Sequence, residues 1–340
     1  MPQVSLLFST LRRVLLSPFS WLYGAVADFR RAIYNQLNLR TPSPIPAWVV
    51  GNLHMGGTGK TPMVLFLLDL LKDQNPAVLS RGYGRSTKGF LAVGPYSESG
   101  QVGDEPLEIY SASQRPVFVC EKRVAGLHGL MNATPESQLA LLDDGFQHLP
   151  LQATGYLLLS PFQDPFWKQA VFPGGKLRES IEAAQEAQAI FITKCPADLT
   201  QEQAQGHVEP IRELGKPVFF FHYSVSEPAP IWDSQPFQAQ EPTFIYSGIA
   251  QQENWAPDCW NVQGSWIRKD HAPLGPDEWE ELLSRVYKSG AKQLVMTRKD
   301  AVKLPKIQSK NLKVDLYVVH SEAKLLFQQH EALKSLILAS

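Results

Sequence analysis

A glycine-rich loop between an apolar strand-like run and an apolar helical pattern constrains this chain more than any other feature. The run Ala47–Val50 enters the loop, and a helical pattern that begins at Met63 leaves it. The loop itself carries Gly56, Gly57, Thr58, Gly59, Lys60 and Thr61. Glycines let backbone N–H groups turn toward an anion, and the N-terminus of the following helix adds its dipole. This order is typical of a P-loop that binds nucleotide phosphates.

The last residues of this loop have distinct expected roles. Lys60 can reach the β- and γ-phosphates of ATP, and the Thr61 hydroxyl can coordinate Mg²⁺. The general P-loop pattern has glycine where this chain has His54, so the match is incomplete there. An ordinary strand-to-helix turn is the alternative, and Gly-Lys-Thr at this place argues against it. We therefore expect ATP and Mg²⁺ as cofactors.

Two acidic pairs follow the loop in sequence. Asp143 and Asp144 come directly after the apolar run Leu139–Leu142, where a P-loop enzyme holds Mg²⁺ directly or through water. A polar turn after a core strand is the alternative. Asp104 and Glu105 begin a helical pattern, where carboxylates often only cap the helix. They could also face the phosphates, one as a base and one on the metal.

Charge and cysteine content limit the possible partners. The formal net charge is -1 with no Lys/Arg-rich run, so nucleic acid is not expected as a partner. Arg81 lies among glycines after the run Ala77–Leu79, which suits either anion binding or a solvated turn. The 3 cysteines are far apart, which argues against a zinc site and a disulfide framework and fits a reducing cytoplasm.

Strand-like runs alternate with helical stretches along most of the chain, which predicts an α/β fold with a doubly wound, mostly parallel sheet of the P-loop NTPase type. A stretch rich in Pro, Ser and Gln interrupts the alternation, and a second, smaller α/β domain follows it, ending in a helix from Glu322 onward. The predicted organisation is an N-terminal amphipathic segment at 1–40, a nucleotide-binding domain at 41–223, a linker at 224–243 and a C-terminal domain at 244–340.

The N-terminal segment predicts an amphipathic helix that starts at a Ser17 cap with Pro18 in its first turn. A signal peptide is the alternative, but Ser17, Pro18 and Ser20 break the apolar region it would need. The helix either packs on the core or lies in a membrane interface with arginines near lipid phosphates, and the pattern leaves both open. Its apolar residues are Trp21, Leu22, Ala25, Val26, Phe29, Ile33 and Leu37, and the arginines are Arg12, Arg13, Arg30 and Arg31.

Several motifs together resemble one family, the tetraacyldisaccharide 4′-kinases, inner-membrane enzymes that phosphorylate the lipid A precursor of Gram-negative bacteria. The matching stretches span nearly the whole chain in the family's order. They are Val50-Gly51-Asn52, Gly56 to Pro62, Ser80-Arg81-Gly82-Tyr83, Gly103-Asp104-Glu105-Pro106, Leu142 to His148, Gly175 to Glu179, Asp270-His271 and Thr297 to Asp300. Ala272 departs from the family pattern, as does His54.

The resemblance implies a role for each matching polar residue. It implies that Asp104 acts as the base toward the sugar hydroxyl, assisted by His271, and that Lys60 and Thr61 hold the ATP phosphates and Mg²⁺. The remaining residues are implied to surround the metal (Glu105, Asp143 and Asp144) or the substrate and phosphates (Arg123, Gln147 and Arg178).

The resemblance also implies a lipid substrate, the lipid A disaccharide 1-phosphate precursor, and a peripheral position at the cytoplasmic face of the inner membrane. An amphipathic first helix fits such a substrate, because the acyl chains stay in the bilayer. Two other classes are possible for a P-loop protein: a switch ATPase that moves a partner protein, and a cytosolic small-molecule kinase. The Asp270-His271 pair in a second domain and the apolar N-terminus argue against both.

Overall fold

The computed structural model of the chain describes residues 2–231, 234–248, 256–268, 274–302, 304 and 312–339. Its helices are α1 (Pro2–Gln36), α2 (Lys60–Leu70), α3 (Ser99–Val102), α4 (Asp104–Ser113), α5 (Arg123–Ala133), α6 (Gln201–Val208), α7 (Pro276–Ser289), α8 (Arg298–Ala301) and α9 (His330–Leu338). The strands up to the middle of the chain are β1 (Thr41–Pro42), β2 (Ala47–Asn52), β3 (Ala77–Ser80), β4 (Leu91–Ala92), β5 (Val117–Val119), β6 (Ala140–Asp143), β7 (Leu151–Gln152) and β8 (Gly155–Pro161). The remaining strands are β9 (Ala189–Cys195), β10 (Val218–Val225), β11 (Ala229–Pro230), β12 (Thr243–Ser247), β13 (Val262–Ile267), β14 (Gln293–Thr297), β15 (Asp315–Val319) and β16 (Ser321–Leu325).

The larger of the two main sheets has nine strands in the order β16-β10-β9-β8-β2-β6-β3-β5-β4. Its strands are parallel except for β4 and β16 at the two edges. Alternate residues of β2 enter opposite faces: Ala47 and Val49 join one core cluster, and Trp48 and Val50 join the other. Burial on both faces explains the continuous apolar run. The predicted α/β class with a doubly wound, mostly parallel sheet is confirmed.

The smaller sheet has five strands in the order β11-β15-β14-β12-β13. Helix α7 covers it with Trp279, Leu282 and Val286, which are buried in the same cluster as Leu294 of β14. Two antiparallel segments join this sheet to the larger one. There the Ser226 N–H donates to the His320 carbonyl at 2.9 Å, and the His320 N–H donates to the Ser226 hydroxyl at 3.1 Å.

The end of the chain differs from the expected helix beginning at Glu322. Ser321–Leu325 is strand β16, which pairs with β10 at the edge of the larger sheet, and the helix begins only at His330. Ala323 and Leu325 are buried while Lys324 between them is exposed, the alternation of a half-buried strand. Leu333 and Ile337 of α9 then join the core of the larger sheet. The chain therefore returns to the nucleotide-binding unit after 319, within the range 244–340 that the sequence assigned to the smaller one.

Helix α1 runs through Pro18 instead of starting there, so the expected cap at Ser17 is wrong. One face of the helix packs on the body through small and polar residues. The Ser20 hydroxyl accepts a hydrogen bond of 2.8 Å from the Gly174 N–H, and Asp28 accepts one of 2.7 Å from the Ser180 hydroxyl. Gly24 is buried beside Val171, and the Tyr23 ring packs edge-on against Phe172. The contact face of α1 therefore combines polar, small and aromatic residues, whereas the sequence expected any core contact to be apolar.

Ion pairs anchor the end of this face. Buried Arg31 contacts both Glu179 and Glu186, and Arg40 pairs with Glu186 at 2.6 Å. Breaking such a buried pair by removing one partner costs about 3–5 kcal/mol. Arg31 therefore binds these carboxylates and not lipid phosphates, which was one of the two alternatives that the sequence left open.

The opposite face of α1 carries an apolar stripe that the body does not cover. Its members recur at intervals of four, three, four and three residues, so they share one side of the helix. They are Leu15, Phe19, Leu22, Val26 and Phe29, with exposed fractions of 65%, 62%, 57%, 61% and 68%. In the described part of the chain, no helix combines the length and the apolar character that crossing a bilayer requires.

Candidate functional site

The phosphate loop lies beside β2, where the strand order of the larger sheet changes direction, the usual place for a ligand in such sheets. Gly56 and Gly59 have φ angles of 124° and 89°, which glycine adopts without strain. The Asn52 side-chain amide donates to the Thr58 hydroxyl at 2.6 Å and ties the loop to the end of β2. Lys60 is the first residue of α2, and Thr61, the second, is half-buried in the same turn.

The acidic pair after β6 faces this loop. Asp143 ends β6 and is buried, and its carboxylate accepts a hydrogen bond of 3.1 Å from the Ser80 hydroxyl. Asp144 follows in a left-handed conformation with φ 52°. Its carboxylate lies 3.5 Å from the Lys60 ammonium and 3.5 Å from the Arg178 guanidinium. The structure thus brings the loop lysine, both aspartates and Arg178 together at the carboxyl ends of β2 and β6.

The environment of Asp143 suits a bound cation. Burial, together with the charge of Glu105, raises the pKa of Asp143 to about 7, against the opposing charge of Lys60. Its Oδ1 atom accepts no hydrogen bond from any residue that the structure describes. Within the same described residues, no three His, Cys, Asp or Glu side chains are grouped closely enough to hold a metal by themselves. Mg²⁺ commonly uses one or two carboxylates plus waters and phosphates, so these residues fit that ion.

Replacing Asp143 with asparagine should stabilise the ligand-free protein increasingly as the pH rises. A carboxyl whose pKa is raised from 3.8 to about 7 on folding gives full stability below about pH 4 and loses it as the pH approaches 7. Between these pH values the Asp143 carboxyl lowers the free energy of unfolding of the wild type by up to about 1.4 kcal/mol per pH unit. The variant lacks the carboxyl and does not lose this stability. Urea unfolding between pH 4 and 8 without divalent cations measures the difference. Surface residue Asp73, replaced by asparagine, is the control, and parallel pH profiles for wild type and Asp143→Asn would contradict the prediction.

Hydrogen bonds to backbone carbonyls hold Gln147 and Arg178 beside the phosphate loop. The Gln147 side-chain amide donates to the Asn52 carbonyl at 2.9 Å, and Arg178 donates to the Gln147 side-chain oxygen at 3.4 Å. The Arg178 N–H also donates to the Leu53 carbonyl at 2.7 Å. Both side chains therefore lie at the rim of the loop.

A group of arginines surrounds His148 on the side of helix α1. Arg123 is buried, and its guanidinium donates to the carbonyls of Cys120 at 3.2 Å and Asp144 at 3.4 Å. Burial, together with the charges of Arg123, Arg81 and Arg30, lowers the pKa of His148 to about 4. His148 is therefore neutral near pH 7, and the arginines around it suit an anionic group. Arg81 is exposed at the end of β3.

Asp104 and Glu105 form the first turn of α4. Gly103 precedes them with φ 93°, and an added Cβ there would lie 3.0 Å from the Tyr83 carbonyl. This close approach places the start of α4 against the loop after β3. The Ser99 hydroxyl donates to the Asp104 carboxylate. Glu105 is near enough to Asp143 for its charge to raise the pKa of that carboxyl, so Glu105 lies close to the acidic pair.

His271, expected to assist Asp104, lies outside the described residues, as do Asp270 and Ala272. The nearby motif Thr297 to Asp300 is described and joins the two units. The Arg298 guanidinium donates to the carbonyl and the hydroxyl of Ser111 on α4, both at 3.1 Å. The helix that carries Asp104 is thus tied to the smaller unit at its other end.

Sequence reasoning did not assign roles to several polar residues around the loop. The Asn52 amide, the Ser80 hydroxyl and the Tyr223 hydroxyl all hold loop or carboxylate atoms. Their positions at the carboxyl ends of parallel strands were the available signal, because those ends meet at one edge of the sheet. Single polar residues at strand ends are too common for that signal to select them.

Comparisons with known proteins point to one family. The family model described as "LpxK: Tetraacyldisaccharide-1-P 4'-kinase" matches residues 12–340. A tetraacyldisaccharide 4'-kinase of Cytophaga hutchinsonii is 32% identical over 334 residues, covering 95% of this chain and 94% of the relative. One of Flavobacterium johnsoniae is 30% identical over 302 residues, covering 86% and 88%. The crystal structure of LpxK from Aquifex aeolicus in complex with ATP has a TM-score of 0.74 and 28% identity, and covers 96% of this chain and 98% of that one.

The family match extends over almost the whole chain, including the phosphate loop and the acidic pair that faces it. It excludes the switch ATPase and the cytosolic small-molecule kinase considered from the sequence. This chain therefore belongs to the tetraacyldisaccharide 4′-kinase family, ATP-dependent kinases that phosphorylate the lipid A precursor at its 4′ position in lipid A biosynthesis.

Proposed function

We propose that this protein transfers the γ-phosphate of Mg²⁺-bound ATP to the 4′-hydroxyl of the tetraacyl disaccharide 1-phosphate, at the cytoplasmic face of the inner membrane. The observation that carries the proposal is the convergence of Lys60, Asp144 and Arg178 in front of the phosphate loop. Phosphoryl transfer requires charge neutralisation and positioning more than covalent chemistry, and this arrangement supplies both.

The residues of the site divide the work of the transfer. Asp104 accepts the proton of the attacking hydroxyl, since an alcohol must lose its proton as the new O–P bond forms. Lys60 and the amides of the loop from Gly56 to Thr61 neutralise charge on the transferred group. Arg178 and Gln147 orient the phosphates or the substrate from the rim. Arg81 and Arg123, the arginines near His148, offer a place for an anionic part of the substrate.

Asp143, Asp144, Glu105 and the Thr61 hydroxyl would hold the Mg²⁺ ion. When bound, the ion supplies positive charge that offsets charge on the phosphate oxygens. The Oδ1 atom of Asp143 is buried and has no hydrogen-bond partner among the residues that the structure describes. This supports the assignment, since a hard oxygen donor in that state favours a cation.

Helix α1 would bring the site to the lipid. Its polar face is fixed to the body by Arg31 and Asp28, and its apolar stripe faces outward. A helix with one apolar face and flanking arginines lies in the plane of a membrane interface. The substrate keeps its acyl chains in the bilayer, so a surface-bound enzyme can reach the sugar headgroup.

Replacing Phe19 and Phe29 together with serine should weaken binding to vesicles that contain anionic phospholipid. Both side chains are more than half exposed, at 62% and 68%, so the fold loses no core contact. Burying an aromatic ring in the interface contributes about 1.5–3 kcal/mol at most, so each substitution should reduce partitioning about tenfold. Co-sedimentation measures this, and the KM for micellar lipid should rise more than the KM for ATP.

Tyr96→Ser is the matched control for this experiment. Tyr96 is 88% exposed in the loop after β4, and its loss should leave vesicle binding unchanged. Deleting the whole helix would be a poorer test, because it also removes Arg31 from Glu179 and Glu186. Equal vesicle binding by wild type and the Phe19/Phe29 variant would remove the stripe from the proposal.

A further inference from the structure

Three consecutive carbonyl groups of the phosphate loop accept hydrogen bonds from side chains on two neighbouring strands of the larger sheet. The donors come from the carboxyl-terminal parts of β9 and β10, which pair in parallel. In order along the loop, the bonds run from the Lys194 ammonium to the Gly57 carbonyl (2.9 Å), from the Thr193 hydroxyl to the Thr58 carbonyl (2.8 Å) and from the Tyr223 hydroxyl to the Gly59 carbonyl (2.7 Å).

These bonds fix the direction of the loop's peptide units. The carbonyl and the N–H of one planar trans peptide unit point in opposite directions. A Thr58 carbonyl held by Thr193 therefore turns the Gly59 N–H away from β9, and a Gly59 carbonyl held by Tyr223 turns the Lys60 N–H away from β10. Both N–H groups then face the space at the start of α2, where an anion would bind.

The surroundings of the donors show that the contact is built into the fold. Lys194 has a left-handed backbone with φ 57°, a conformation that costs a non-glycine residue about 1–2 kcal/mol. The Tyr223 ring packs directly on Gly59, where an added Cβ would lie 2.3 Å from a ring carbon. Thr193 is fully buried. Strain of this kind persists where the surrounding structure holds it, and it is concentrated at functional sites.

The chemistry of the two hydroxyl donors suits a permanent contact. Burial raises the pKa of the Tyr223 phenol well above its usual value, so the hydroxyl keeps its proton. The Thr193 hydroxyl does not lose its proton at any pH at which a protein is folded. Both groups therefore remain donors at any pH at which the protein works.

We propose that Thr193, Lys194 and Tyr223 are positioning residues that hold the phosphate loop in its anion-binding form before a nucleotide arrives. This inference rests on the proposed role of the loop in binding the ATP phosphates. It adds that the loop's shape is imposed from outside, by β9 and β10, and is not a property of its glycines alone. A loop that is already shaped pays less ordering entropy on binding.

The test is the dependence of affinity on the number of phosphates. Tyr223→Phe and Thr193→Val each remove one donor with little change of shape. The dissociation constants of ATP, ADP and AMP are measured on the full chain by calorimetry. We expect each variant to bind ATP about tenfold more weakly, the effect of roughly one lost hydrogen bond, and AMP within about twofold of wild type. In Tyr223→Phe the Gly59 carbonyl keeps its hydrogen bond of 3.3 Å from the Met63 N–H. A general loss of structure would weaken all three nucleotides alike.

Tyr317→Phe is the matched control. Its hydroxyl donates to the Gln235 carbonyl at 2.8 Å in the smaller unit, so the same atom is removed far from the loop. The ratio of AMP to ATP dissociation constants should not change in it. Lys194 is exposed, so Lys194→Met should fold even if Tyr223→Phe or Thr193→Val does not. It tests the donor to the Gly57 carbonyl.

The outcomes separate this inference from the proposed function. A wild type that binds ATP no more tightly than AMP would remove the loop from phosphate binding. A wild-type preference for ATP that survives unchanged in Tyr223→Phe, Thr193→Val and Lys194→Met would overturn the positioning role alone. Equal weakening of ATP and AMP in these variants would also overturn it.

Discussion

Replacing Lys60 with alanine should lower turnover about 10²–10³-fold, the usual loss when one group that stabilises transition-state charge is removed. The Lys60 side chain is the first of helix α2, is only 10% exposed and lies 3.5 Å from the Asp144 carboxylate. Its ammonium is a point charge that would face the transferred phosphate, and alanine cannot replace it. The site would also keep Asp143 and Asp144 with one fewer positive charge nearby.

The fold should survive this substitution, because Lys60 belongs to neither core cluster. The kcat for lipid phosphorylation and the melting temperature should be measured together. Lys72→Ala, at an exposed position just beyond α2, is a control that should change neither. A Lys60→Ala enzyme with turnover within about threefold of wild type would exclude the loop lysine from the mechanism.

Removing the proposed base should have a comparable effect. Asp104→Ala should lower kcat about 10²–10⁴-fold, the range that general base catalysis contributes. Asp104 lies in the first turn of α4 beside Glu105, and Glu105 acts electrostatically on Asp143. ATP affinity should change far less than turnover, since Asp104 is outside the phosphate loop.

The partnership of Asp104 with His271 rests on the family resemblance. If the two residues act as one unit, His271→Ala should also lower kcat strongly, and the double variant should be little worse than the poorer single variant. If the fold-loss of kcat in the double variant equals the product of the two single losses, Asp104 and His271 act independently. His271 would then be assigned to substrate binding. Asp73→Ala, which removes an exposed carboxylate just beyond the end of α2, is the control.

The sequence predicted the parts of this protein that depend on local pattern. The phosphate loop needs only a strand, three glycines and a Gly-Lys-Thr run in order, and the structure places Lys60 at the start of α2 as expected. The parallel strands are buried on both faces, so each appears in the sequence as a continuous apolar run. The end of β6 at Asp143 follows from such a run.

Pairing between distant segments could not be predicted in this way. Ser321–Leu325 contains residues that suit a helix, yet it pairs with β10 about 100 residues earlier in the chain. Helix α1 had the predicted apolar periodicity, but periodicity does not say which face meets the body. Glu179 and Glu186, which lie far along the chain, decide that by pairing with Arg31 and turning the apolar stripe outward.

In the candidate site, too, the residues of local motifs could be predicted, and those brought in by distant segments could not. Lys60, Asp143 and Asp144 were identified because each belongs to a recognisable local motif. Thr193 and Tyr223 were not, since their role comes from β9 and β10 lying beside the loop in the folded sheet. A single threonine or tyrosine near the end of a strand carries no such information in the sequence.

The central claim is that this site transfers phosphate to one hydroxyl of a lipid. The most direct test incubates the full chain with γ-labelled ATP and the tetraacyl disaccharide 1-phosphate in mixed micelles with Mg²⁺, and then locates the label in the product. We expect one labelled phosphate per lipid, on the 4′-oxygen, and almost no transfer by Lys60→Ala or Asp104→Ala. Label released only as free phosphate, label on another hydroxyl, or full transfer by either variant would contradict the account.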